Sequence, residues 1–176
     1  MTGWPTNVII VSGSESWQRL PPEVVGALDE FEPSKLLRLT FDDTCRPRDA
    51  AAPTMEHVAA IIQFAERVPS ACKLLSVCPG GFGRSSAASW ICWLVWGDSP
   101  ARALQRLLAD RREATPNRLM IALADVAMDM KGALWATYSD WMRETVGVRY
   151  DTPVPLRGKQ AARLRAGIKH QVANEV

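Results

Sequence analysis

The sequence lacks the features that would place the chain in a membrane. Its longest apolar run, from Ala87 to Trp96, is shorter than the roughly 20 residues that a helix needs to span a bilayer. The opening segment, Met1 to Pro5, has no basic stretch, and Val8 to Val11 is too short for the apolar core of a signal peptide. We therefore expect no membrane span, no secretory signal and a cytoplasmic location.

Patterns that bind metals or form disulfide frameworks are also missing. The four cysteines include no Cys-x-x-Cys pair, and the two histidines, His57 and His170, lie far apart in the sequence. Zinc sites need cysteine or histidine ligands at short, recurring spacings, and disulfide frameworks belong to secreted chains. We therefore predict free thiols in a reducing compartment, no metal and no cofactor.

The overall charge is small as well. The 176 residues carry a formal net charge of +2, which does not by itself indicate a nucleic-acid partner. Hydrophobic residues make up 47% and charged residues 23%, values typical of soluble globular proteins. The length is sufficient for one domain with a proper hydrophobic core. One globular domain that does not bind nucleic acid is the expectation.

Strand-like segments are few and come early. Apolar and β-branched residues predict strands at Asn7–Val11, Lys35–Phe41 and Lys73–Val77. Proline, N-cap and glycine signals predict helices at Pro21–Asp29, from Pro53 to before Val68, and at Ser85–Trp96, Pro100–Asp110, Pro116–Met128, Lys131–Val146 and Gln160–Val172. This order predicts an α/β fold with a short central, mostly parallel sheet flanked by helices and a helical C-terminal half.

The most informative stretch runs from Val77 to Ser86. A buried strand leads into Cys78, a glycine-rich turn of Pro79, Gly80, Gly81, Phe82 and Gly83 follows, and a helix begins near Arg84. Backbone N–H groups of such a turn, together with those of the first helical turn, converge on one point and favour an anion. The same groups would stabilise a thiolate at Cys78.

These residue types suit the hydrolysis of a phosphate monoester. The Cys78 thiolate can attack phosphorus, the loop N–H groups and a bidentate Arg84 can hold the phosphoryl oxygens, and the Ser85 hydroxyl can assist the sulfur as it leaves. The leaving oxygen needs a proton, and an upstream acidic loop offers one. Asp42, Asp43 and Asp49 are the candidates for this general acid.

The segment Cys78–Ser85 resembles the signature loop of the cysteine-dependent protein tyrosine phosphatase superfamily. Its position in mid-chain resembles the dual-specificity-like branch, and a wider similarity to a bacterial group of predicted tyrosine phosphatases runs from about Leu36 to Ala124. The resemblance implies a phosphatase-like domain over residues 1–156 and a metal-free cysteinyl-phosphate mechanism. It implies that Cys78 is the nucleophile, that Arg84 and the loop backbone bind phosphate, and that Asp43 is the general acid.

The resemblance also implies the partner, a phosphorylated protein or a small phosphate monoester, most simply phosphotyrosine. The loop contains no lysine of the kind that phosphoinositide phosphatases use, which favours a substrate other than an inositol lipid. Two alternatives stay open. Val77 stands where most members have histidine, which favours a non-catalytic phosphate-binding module, and a loop cysteine would also suit a rhodanese-type sulfurtransferase.

Several side features have more than one interpretation. Trp90, Trp93 and Trp96 share a helical face and are predicted to pack in the core. Cys45 is interpreted as a free thiol, the alternative being a resolving thiol that approaches Cys78 from the acidic loop. Asn117 is interpreted as a helix cap, the alternative being a place near the site, which the resemblance implies for the Pro116-Asn117 helix start. Residues 157–176 are basic and amphipathic, and we expect a helix docked on the same domain; an anionic partner, a membrane surface or a second subunit are the other possibilities.

Overall fold

The computed structural model describes residues 5–13, 22–147 and 162. Its sheet has three parallel strands, β1 (Asn7–Ser12), β2 (Leu36–Thr40) and β3 (Leu74–Val77), in the order β2-β1-β3. Val8 lies opposite Leu36 on one side and Leu75 on the other. All six residues of β1 are buried, as expected for the middle strand of a parallel sheet that is covered on both faces.

Helices make up most of the remaining described chain. In order they are α1 (Pro22–Asp29), α2 (Met55–Arg67), α3 (Arg84–Val95), α4 (Pro100–Asp110), α5 (Arg118–Ala127) and α6 (Ala133–Val146), with a short 3-10 turn at Pro33–Lys35. The predicted α/β class, with a parallel sheet flanked by helices and a helical C-terminal half, is confirmed. No helix within the described ranges is long and apolar enough to cross a bilayer.

Helix boundaries follow local capping chemistry. The side chains of Thr54, Ser99 and Asn117 accept backbone N–H groups at the starts of α2, α4 and α5. The predicted start of α6 at Lys131 is wrong, since the helix begins at Ala133. Lys131 and Gly132 have φ angles of 53° and 87°, and this left-handed backbone cannot belong to a right-handed helix.

Helix α3 lies at the centre of the molecule and follows directly from the glycine loop. It packs against β3 and β1 and against α2, α4 and α5. The prediction that its three tryptophans pack in the core holds fully for Trp90, which is completely buried and donates from Nε1 to the Pro100 carbonyl. Trp93 and Trp96 are partly buried against the same core. Because two strands and three helices pack against α3, the position of its N-terminus is set by the core.

The predicted division at residue 156 lies outside the described residues. Of the basic helix predicted for residues 157–176, the structure describes residue 162 alone. These expectations therefore remain predictions.

Candidate active site

The loop after β3 turns tightly around Cys78. Cys78 is 6% exposed, and its sulfur lies 3.2 Å from the Ser85 hydroxyl oxygen. The Gly81 N–H donates to the Cys78 carbonyl over 3.0 Å, and Gly81 has a φ of +69°, a conformation that favours glycine. The expected loop residues Pro79, Gly80 and Phe82 are exposed, whereas Gly83 is buried. The sequence therefore places sulfur and hydroxyl together at the base of an open loop.

The backbone of the loop is held from behind by the segment that precedes α5. The Phe82 carbonyl accepts from the Thr115 N–H at 3.0 Å, and the Gly83 carbonyl accepts from the Asn117 N–H at 3.1 Å. The N–H and C=O groups of a trans peptide point in opposite directions. Anchoring these two carbonyls therefore directs the N–H groups of Gly83 and Arg84 to the opposite side of the loop.

Gly83 is the N-cap residue of helix α3 and provides no side-chain cap. In residues 5–13 and 22–147, no backbone acceptor pairs with the N–H groups of Gly80, Phe82, Gly83 or Arg84. Unpaired donors at a helix start, aligned with the helix dipole, favour binding of an anion. Contrary to the expectation for the loop N–H groups, the Gly81 N–H is not available to an anion, because it donates to the Cys78 carbonyl within the turn.

Arg84 is buried and is fixed by the chain that follows β2. It is 7% exposed, and its Nη1 donates to the Phe41 carbonyl over 2.7 Å. Its Nε is buried and has no hydrogen-bond partner within the described part of the chain. A buried donor without a partner is costly, which makes an anion at this position favourable.

The acidic loop brings Asp43 to the same place. One carboxylate oxygen of Asp43, Oδ2, lies 3.9 Å from Nε of Arg84, and the other, Oδ1, accepts from Nδ2 of Asn117 over 2.7 Å. The carboxylate also lies so close to Gly83 that a Cβ at this position would collide with it. A side chain at position 83 would therefore displace the Asp43 carboxylate, which lies directly beside the start of α3.

The other two candidate acids have different surroundings. Asp49 accepts a hydrogen bond from the Thr44 hydroxyl, and Thr44 in turn accepts from the Arg46 N–H. Asp49 therefore closes the acidic loop on itself. The Asp42 N–H donates to the Ala51 carbonyl, which ties the two ends of that loop together. The Asp43 carboxylate, in contrast, lies against both Arg84 and Gly83.

Arg111 adds positive charge at the outside of the glycine loop. Its guanidinium lies over the Phe82 ring at 4.7 Å from the ring centre, and a Cβ on Gly81 would lie 3.1 Å from its Nη1. A cavity of about 460 Å³ adjoins this region, bounded by β3, α3 and the end of α4. Its lining includes Gly81, Ser85, Arg111 and Trp93. The loop is therefore next to two positive charges, those of Arg84 and Arg111.

The other three cysteines are free thiols that differ in burial. Cys45 and Cys72 are partly buried, and Cys92 is completely buried in α3. Burial raises the pKa of Cys92 to about 12, with a further contribution from Cys72, and it raises the pKa of Cys72 as well. Buried thiols of this kind are inert structural residues.

Sequence reasoning left the role of one group undecided and missed another. Asn117 was interpreted as a cap, which it is, but its amide also reaches the acidic loop. The Phe41 carbonyl, which holds Arg84, leaves no signal in the sequence because every residue has a carbonyl. For Asn117, the available signal in the sequence was the Pro116-Asn117 pair at the start of a predicted helix.

A comparison with solved structures finds a similar protein. No protein-family model matches the sequence, and no curated protein matches it. A solved structure described as the crystal structure of Tk-PTP in the active form is similar, with a TM-score of 0.49 and 21% sequence identity. The match covers 71% of this chain and 80% of that chain. The function of this chain is therefore inferred from its own site.

Proposed function

We propose that this protein is a phosphatase that hydrolyses phosphate monoesters, most simply protein phosphotyrosine, through a cysteinyl-phosphate intermediate. The observation that carries the proposal is the meeting of Asp43 with the cysteine loop. Asp43 comes from a different part of the chain, yet its carboxylate lies beside Gly83 and Arg84. A nucleophile, an anion cradle and an acid at one point are the components that such a reaction requires.

In the first step, the Cys78 thiolate attacks phosphorus and the bond to the leaving oxygen breaks. The phosphoryl oxygens are held by N–H groups at the start of α3 and by Arg84, whose Nε is buried without a partner among the described residues. The protonated Asp43 gives its proton to the leaving oxygen. Positioning and charge stabilisation supply most of the rate in phosphoryl transfer.

In the second step, water attacks the phosphorus of the cysteinyl-phosphate and the sulfur–phosphorus bond breaks. Asp43, now ionised, takes a proton from the water, which restores its protonated form and yields inorganic phosphate. The Ser85 hydroxyl, 3.2 Å from the Cys78 sulfur, donates to the thiolate as it leaves. Each group used in the first step is thus returned to its starting state.

The test is hydrolysis of p-nitrophenyl phosphate and of a phosphotyrosine peptide in the presence of a metal chelator. Replacing Cys78 by serine should lower kcat by on the order of 10⁴-fold or more, as is usual when the nucleophile of a covalent mechanism is removed. Asp43→Asn should lower turnover by about 10²- to 10⁴-fold, the usual contribution of a general acid. Acid-quenched Asp43→Asn should show phosphate bound to Cys78 by mass spectrometry.

A matched control distinguishes the effect of losing the nucleophile from the effect of losing any cysteine thiol. Cys72→Ser removes a partly buried cysteine on the approach to β3 and should keep normal turnover. Equal activity of Cys78→Ser and the normal protein would refute the mechanism. Similar activity of Asp43→Asn would move the acid to Asp42 or Asp49.

A second function is favoured by one feature, the residue before the cysteine. Val77 is 39% exposed and has no group that could hold the loop. A protein that binds vanadate or phosphopeptide at this loop, yet shows no turnover, would be a phosphate-binding module. Turnover of thiosulfate and cyanide would instead indicate a sulfurtransferase.

A further inference from the structure

Asn117 makes hydrogen bonds to three segments at the candidate site. Its side chain is 3% exposed, and its backbone N–H donates to the Gly83 carbonyl over 3.1 Å. Its Nδ2 donates to Oδ1 of Asp43 over 2.7 Å and to the Thr44 carbonyl over 3.2 Å. The residue therefore touches the end of the cysteine loop, the acidic loop and the start of α5 at once.

The orientation of the Asn117 amide is set by the helix that it caps. Oδ1 accepts from the Leu119 N–H at 3.0 Å and from the Met120 N–H at 3.1 Å. These backbone groups can only donate, so the amide oxygen must face α5. The NH₂ group must then face the acidic loop, where both of its hydrogens find an acceptor. The helix cap thus fixes a donor at Asp43.

This donor distinguishes the two oxygens of the Asp43 carboxyl. Oδ1 accepts from Asn117, whereas Oδ2 is the oxygen that lies 3.9 Å from Nε of Arg84. An oxygen that accepts an N–H bond disfavours a proton of its own on that side. The proton of the neutral acid therefore belongs on Oδ2, the oxygen nearer to the phosphate position.

We propose that Asn117 is a positioning residue that holds Asp43 and directs its proton to Oδ2, towards the leaving oxygen. The proposal rests on the proposed phosphatase function. Asn117 does not touch the substrate in this account, and it acts through Asp43. The second bond, to the Thr44 carbonyl, holds the neighbouring peptide of the acidic loop and limits its movement away from Arg84.

The variant that separates capping from positioning is Asn117→Asp. Aspartate is as good a helix cap as asparagine, so α5 keeps its acceptor. The NH₂ donor is lost, however, and a carboxylate faces the Asp43 carboxylate in its place. Asn117→Ser, whose hydroxyl can still cap but is too short to reach Asp43, is the second variant should the first fail to fold.

The measurement is kcat/KM for aryl phosphates whose leaving groups range from nitrophenol to phenol. A weakly basic nitrophenolate leaves without much help, whereas phenolate needs the proton. Asn117→Asp should lose about 10-fold in kcat/KM with the nitrophenyl ester and about 10²- to 10³-fold with the phenyl ester, within the range of a general acid. A purely structural residue would lower both values by the same factor.

Two controls complete the design. Ser99→Ala removes the cap of α4, where Ser99 accepts from the Arg102 N–H, and should leave the leaving-group dependence unchanged. In an Asp43→Asn background, Asn117→Asp should add little to the leaving-group dependence, since the acid is already lost.

Failure of the inference differs from failure of the proposed function. Cys78-dependent turnover with an unchanged leaving-group dependence in folded Asn117→Asp and Asn117→Ser would overturn the positioning role alone. A normal protein without Cys78-dependent turnover would overturn the phosphatase function and this inference with it.

Discussion

Two of the described helices, α3 and α6, have a glycine as the N-cap residue, and that glycine has no side chain to cap the helix. At α6 the missing acceptor comes from within the fold. Asp125, buried on α5, accepts from the Gly132 N–H at 2.7 Å and from the Trp135 N–H at 3.0 Å. At α3 the neighbouring carboxylate, Asp43, bonds to Asn117 instead.

The difference shows how one kind of helix start serves two purposes. A helix N-terminus attracts negative charge wherever it occurs. Where the fold supplies the carboxylate, as Asp125 does, the helix start is a structural joint. Where the nearby carboxylate is held to one side, as Asp43 is, the helix start is available to an external anion. The predictions below test this contrast.

The largest effect is expected at the α3 side, from Arg84→Lys. Lysine cannot grip two oxygens and cannot reproduce the bond from Arg84 Nη1 to the Phe41 carbonyl. We expect kcat/KM for p-nitrophenyl phosphate to fall by on the order of 10²- to 10³-fold, as when one oxyanion donor is removed. Steady-state kinetics measure it. Arg102→Lys, an exposed residue of α4, is the control, and an equal loss in both variants would contradict the role of Arg84.

The next effect is expected at the α6 side, from Asp125→Ala. Two buried N–H groups lose their acceptor, and the free energy of unfolding should fall by about 2–4 kcal/mol in urea unfolding. Activity per folded molecule should stay normal. Asp98→Ala, whose carboxylate pairs with the exposed Arg102 and Arg106, should cost less than about 1 kcal/mol. Loss of activity without loss of stability would show that Asp125 serves the site.

A ligand should stabilise one helix start and not the other. Vanadate, which resembles the phosphoryl group, should raise the free energy of unfolding by about 2.7 kcal/mol at 100 times its Kd. Thermal shift with and without vanadate measures this gain. Asp125→Ala should keep the full gain in the free energy of unfolding, because the hydrogen bonds that it removes are at the start of α6. A gain that Arg84→Lys also keeps in full would place the anion away from α3.

The smallest effect is the pH dependence of Asp125. Burial raises the pKa of this carboxyl above its usual value, although the backbone N–H groups of Trp135 and Gly132 oppose the shift. The folded state then binds the proton more tightly than the unfolded state. The contribution of Asp125 to stability should therefore grow as pH falls through the raised pKa towards 3.8, and shrink as pH rises.

The comparison that measures it is urea unfolding of the normal protein and of Asp125→Asn from pH ~4 to ~7. Subtracting the two curves removes the titration of the other carboxyl groups. A difference that does not change with pH would mean that Asp125 has the same pKa in the folded and unfolded states.

Much of the fold could be predicted because its signals are local. Thr54 and Ser99 cap α2 and α4 through bonds to residues three positions further on, and α4 has the predicted bounds Pro100–Asp110. The start of α6 was misplaced because Lys131 and Gly132 have a left-handed backbone, and the Gly132 N–H donates to the carboxylate of Asp125. That carboxylate lies on another helix, and helix propensity does not include it.

The amino-acid sequence alone was enough for the strand, glycine loop and helix around Cys78, since hydrophobic pattern, glycine content and helix caps act between near neighbours. The residue pattern left Asp42, Asp43 and Asp49 open as the acid, and only the family resemblance favoured Asp43. The bond between Asn117 and Asp43 joins residues 74 positions apart, and the bond from Arg84 to the Phe41 carbonyl joins residues 43 apart. Such contacts depend on the strand order β2-β1-β3 and on how α5 packs against α2 and α3. The assembled fold therefore decides that Asp43 lies beside Arg84, because only packing brings distant polar groups within hydrogen-bond distance.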